Sequence, residues 1–108
     1  MCCARAAFYA WLMPSFRITL TVGALRDGVT PDSVVPTAAR AAAEMTTVED
    51  SELAVVAGEA RVIVRFSADD PAEALRIGLH VRAVTADVAQ LLGAQVTERV
   101  RSRWLPVR

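Results

Sequence analysis

One imidazole, two adjacent thiols and twelve arginines are the groups in this 108-residue chain best suited to chemistry. The imidazole, His80, is the weak candidate for a general base. Its helical neighbour Asp87 lies seven residues on, about 10 Å along a helix and beyond direct hydrogen-bond reach. Arg76 is closer but cannot orient an imidazole as a carboxylate would. Ordinary surface placement is the simpler reading of His80.

Cys2 and Cys3 are sequence neighbours and cannot close a long loop, so they imply no disulfide framework. With a single histidine and terminal thiols, no spacing matches a zinc site, and no metal or cofactor is expected. Asp69 and Asp70 precede Pro71 and read as helix caps, while Asp27-Gly28 reads as a turn. Gly23 and Gly28 lack the spacing of a phosphate cradle, and no serine has a credible base with a carboxylate behind it. The absence of lysine removes Schiff-base and P-loop chemistry. No reaction can be assigned. A cofactor-free enzyme stays as an alternative, with a small apolar pocket between sheet and helices and Tyr9, Trp11 or His80 at its mouth.

That leaves the arginines, balanced by twelve acids to a formal charge of zero. Neutrality removes the usual reason to expect broad nucleic-acid binding and weakens the repulsion that keeps copies apart. The chain also lacks asparagine, and its Ala, Arg, Val and Gly content fits a GC-rich, bacterial coding bias.

The elements that would position these arginines are legible from hydrophobic periodicity. Between Ser51 and Ser67, a two-residue turn at Ala57-Gly58 pairs Leu53 with Val62, Val55 with Ala60 and Ser51 with Val64. These residues share one face with Phe66. Asp50 then opposes Arg65, and Ala54 opposes Arg61, on the other face, with Glu52 diagonal to both arginines. A first strand alternates over Phe16–Val22, with Phe16, Ile18, Leu20 and Val22 inward and Arg17, Thr19 and Thr21 outward.

A helix is expected from about Thr37 to Met45, after an irregular piece at 31–35 and a break at Pro36. Its alanines favour helix but bury little area, which predicts close packing on the sheet. A second helix starts at Asp69 or Asp70 and carries an apolar stripe of Ile77, Val81, Val84, Val88 and Leu91, ending at Gly93. A last strand from about Ala94 to Trp104 places Val96, Val100 and Trp104 inward and Arg99, Arg101 and Arg103 outward. Its excess length suggests contact with another subunit.

The order strand, helix, hairpin, helix, strand is that of an α+β, ferredoxin-like β-α-β-β-α-β sandwich. It implies a four-stranded antiparallel sheet with two helices on one face. The expected organisation is residues 1–15 as an N-terminal arm or start-site extension, with translation from Met13 as an alternative, and 16–108 as a single domain. The apolar run at 6–13 is too short to span a bilayer as a helix and lacks a signal-peptide cleavage pattern. A cytoplasmic location is expected.

In this topology the first strand lies between the third and fourth, which gathers Arg17, Arg61, Arg65, Arg99 and Arg101 with Ile63 on the uncovered face. The preferred reading is a homodimer or higher homo-oligomer in a binding or assembly module, with symmetric copies protecting a small open sheet. A plain hydrated face, neutralised locally by Asp50, Glu52 and Glu98, and a small anionic ligand are the alternatives. Weak nucleic-acid binding is disfavoured, because Phe16, Phe66 and Trp104 all follow the helix-facing phase and leave no stacking platform. The expected core is Phe16, Ile18, Leu20, Val55, Val62, Val64, Phe66, Val81, Val84 and Val88.

Overall fold

The computed structural model describes residues 14–107, and the arm expected over residues 1–15 falls mostly outside that range. Strand β1 (Ser15–Leu25) leads through a short 3₁₀ turn (Pro31–Ser33) into helix α1 (Val34–Ala43). The hairpin β2 (Val48–Val56) and β3 (Glu59–Ser67) follows, then helix α2 (Pro71–Ala86), β4 (Ala89–Val100) and β5 (Arg103–Pro106).

The sheet order is β2-β3-β1-β4-β5, with every neighbouring pair antiparallel. This is an α+β sandwich, broadly ferredoxin-like, with five strands where four were expected. The fifth arises because the expected strand to Trp104 reverses at Arg101-Ser102 and pairs back on β4. Arg101 takes the left-handed backbone at φ 59°, which permits the tight reversal. The terminal residues therefore pair within their own chain, and that pairing removes the reason for giving them to a second subunit.

The hairpin has the register that its sequence pattern implies: Leu53 opposite Val62, Val55 opposite Ala60, Asp50 opposite Arg65 and Ala54 opposite Arg61. Ala57 and Gly58 both have positive φ, at 53° and 80°, as a two-residue turn matched to strand twist requires. Phe16, Ile18 and Leu20 of β1 and Val62, Val64 and Phe66 of β3 are all buried under the helices. Ala38, Ala41 and Ala42 let α1 lie close to the sheet, and Ala74, Ile77 and Val81 bring down α2. A side chain on Gly78 would place its Cβ 2.6 Å from Val96, so α2 and β4 meet there almost backbone to side chain.

Three boundaries differ from the periodicity. Helix α1 begins at Val34 rather than Thr37; Pro36 sits within its first turn, where backbone N–H groups have no intrahelical acceptor anyway. Helix α2 stops at Ala86, so Val88 and Leu91 leave the helical stripe, and Leu91 packs on the core from β4 opposite Val22. Gly93 accordingly lies inside β4. Val55 is 71% exposed rather than buried, and Val84 is half-buried. Val55 sits on edge strand β2 near the hairpin tip, beyond the N-terminal end of α1, where no helix among the described residues covers it.

Candidate functional site

With both helices on one side, the opposite face carries the odd-numbered residues of β1 and β3. Arg17 and Arg65 are direct cross-strand partners at its centre, and Arg61 lies opposite Thr21. Two cations directly opposed on adjacent strands repel, so other groups must offset the pair. Arg65 Nε donates to Glu49 Oε1 at 2.9 Å, and Ser15 donates to the same carboxylate. Glu49 reaches Arg65 through a register shift between Val48 and Asp50 that re-aims the edge strand. Periodicity alone assigned the neutralising role to Asp50, Glu52 and Glu98 and missed this contact. Glu98 stands opposite Phe16, on the helix-facing phase.

Trp104 is the largest correction to the site. Pairing with Arg99 across the β4–β5 hairpin puts its indole on the arginine face rather than in the core. The ring lies 4.3 Å from the Arg17 guanidinium and 5.7 Å from that of Arg65. Thr97, between them on β4, is buried. The misplacement has one cause: a strand read as continuous keeps its alternation, and a two-residue reversal resets it.

The remaining arginines divide. Arg61 contacts Glu59 at 3.7 Å, two residues back on its own strand. The Nε atoms of Arg17 and Arg61 are both buried, with no acceptor among the described residues. Arg99 donates Nε to the carbonyl of Arg101 at 3.2 Å, so it braces the β4–β5 turn. Arg101 itself is exposed in that turn and does not join the central cluster. Arg103 pairs with Val100, one residue out of phase with Trp104, and so leaves the arginine face too. Ile63 is half-buried on this face, beside Thr19 of β1 and Glu52 of β2.

Away from the sheet, His80 Nε2 lies 3.0 Å from Glu44 Oε1, which joins α2 to the end of α1. Asp87, the partner weighed from sequence, instead ends α2. A helix pair brings Glu44 from 36 positions away, so no local spacing could have found it. The groove between α2 and β4, about 420 Å³, is lined by Leu75, Gly78, Leu79, Arg82, Val96 and Val107 among others, and His80 is not one of them. Tyr9 and Trp11 lie outside the described residues.

Among the described residues no three His, Cys, Asp or Glu side chains cluster as metal ligands. No described helix is long and apolar enough to cross a membrane. The uncovered face is Arg-rich, with one indole engaged by the Arg17 guanidinium.

No family model matches the chain, and no curated protein matches it. Among solved structures, the chain matches a crystal structure described as a candidate chlorite dismutase, with 13% identity and a TM-score of 0.47. The match covers 79% of this chain but 43% of that one, so the chain spans less than half of that protein's length.

Proposed function

We propose that the protein is a self-associating binding module whose working surface is the uncovered face of its sheet. One observation carries this reading: apart from Glu59 beside Arg61, the face is divided by charge, with acids on β2 and arginines on β3 and β1. Asp50 and Glu52 lie on β2, directly beside Arg65, Ile63 and Arg61 on β3.

A two-fold axis parallel to the strands, running between β2 and β3, superposes β2 of one copy on β3 of its partner. Asp50 then faces the partner's Arg65, and Glu52 faces the partner's Ile63 between two arginines. Such an interface is self-complementary, as closed two-fold symmetry requires. Growth along the sheet edges is the poorer route. Edge strand β2 carries Glu49, Asp50 and Glu52, which would repel a second copy of themselves, and β5 is four residues long and ends in proline.

Native mass spectrometry with light scattering tests the reading. A dimer mass is expected. Glu52→Arg alone and Arg61→Glu alone should each weaken association about tenfold, from the loss of roughly 1.4 kcal/mol. Mixing the two variants should restore the dimer, because each then supplies the charge that the other lacks. A monomer at all concentrations, or variants that dimerise like the parent, sinks the proposal.

A further inference from the structure

The geometry points to a second property of the same face: the Arg17–Arg65–Trp104 cluster is a seat for one oxyanion group, a carboxylate or a phosphate, of a small ligand. The seat is formed within one copy of the chain, so it does not depend on self-association.

Charge comes first. Arg17 and Arg65 stand directly opposite each other, yet the only acid among the described residues that bonds either of them is Glu49, which takes Arg65. The cluster thus keeps one positive charge in excess, on Arg17. Aromatic stacking fits the same role. The Arg17 guanidinium lies over the indole at 4.3 Å; stacking engages the flat face of that group and leaves its in-plane N–H donors for hydrogen bonding. The planar donor fork of arginine matches the two oxygens of a carboxylate or phosphate.

The donors are also incompletely used. Arg17 Nε is buried without an acceptor, whereas Arg65 Nε is satisfied by Glu49 at 2.9 Å. The buried Nε is closed to solvent, so an oxyanion beside Arg17 would pair with the terminal nitrogens of this guanidinium and offset the like-charge pair in one step. Nucleic acid fits less well, since Arg17 already occupies the indole on which a base would stack.

Trp104 makes the seat measurable. Its fluorescence is isolated in a Trp11→Phe background, since Trp11 is the chain's other tryptophan. The full chain is titrated with inorganic phosphate, and separately with acetate, at constant ionic strength maintained with sodium chloride. A saturable change beyond the chloride control is expected; which salt produces it separates a phosphate from a carboxylate source. Arg17→Gln should weaken the response at least tenfold, with Arg17→Lys intermediate because it keeps the charge and loses the fork. Circular dichroism checks folding, and Arg65→Gln replaces Arg17→Gln if that variant does not fold. Mass measured on the same samples keeps the result separate from assembly: saturation in a monomer supports the seat even if the dimer fails. Responses to phosphate and acetate no larger than to chloride, or an Arg17→Gln chain that binds like its parent, overturn the inference.

Discussion

Arg17 shows how one residue can be legible in kind and illegible in partner. Alternation along β1 assigns it to the outward face, where the structure places it, opposite Arg65. The indole stacked on it comes from a strand whose phase was reset at Arg101. Such contacts between guanidinium and indole contribute about 0.5–1 kcal/mol at exposed sites, enough to orient Arg17 but not to hold the fold. Gly78 is the counterpart inside the core. Alanine there improves helix propensity by up to about 1 kcal/mol, yet its Cβ would lie 2.6 Å from Val96 and 3.2 Å from Ile18. Overpacking costs typically about 1–3 kcal/mol, so Gly78→Ala is expected to lower stability by roughly 1 kcal/mol net. Urea unfolding followed by circular dichroism measures it; an unchanged or raised midpoint would show that α2 can shift outward freely.

At the scale of elements, the caps and turns separate readings that sequence left open. Either Asp69 or Asp70 could start α2, and the structure chooses Asp70, whose carboxylate accepts from the Glu73 backbone N–H at 2.8 Å. Asp70→Ala should therefore cost about 1 kcal/mol, and Asp69→Ala close to nothing. Equal losses in chemical denaturation would refute that assignment. The β2–β3 hairpin was readable in full register because alternation, turn length and cross-strand charge all agree on one pairing. The end of α2 was not. Apolar residues at Val84, Val88 and Leu91 continue a helical spacing by coincidence while the backbone passes into β4. Periodicity reports which residues seek the core, and Leu91 does reach it, from a strand.

For the whole molecule, the segregation of Asp50 and Glu52 from the central arginines gives the proposed dimer a salt dependence. Pairs at an exposed interface are screened beyond about 8 Å at physiological ionic strength, so raising salt should shift the measured mass toward monomer. Dissociation constants from light scattering at low and moderate salt check this. A dimer that tightens with salt would point to apolar contact through Ile63, Leu92 or Leu53 instead.

Local pattern settled the order of strands and helices, the hairpin register and the outward direction of Arg17, Arg61 and Arg65. Each of these depends on residues close in sequence or on a period of two or near 3.6. The fifth strand, the exposure of Val55, the Glu44–His80 contact and the meeting of Trp104 with Arg17 depended on folding. Their physical reason is common: each turns on a chain reversal, a layer edge or a partner tens of residues away, and none of these leaves a local period in the chain.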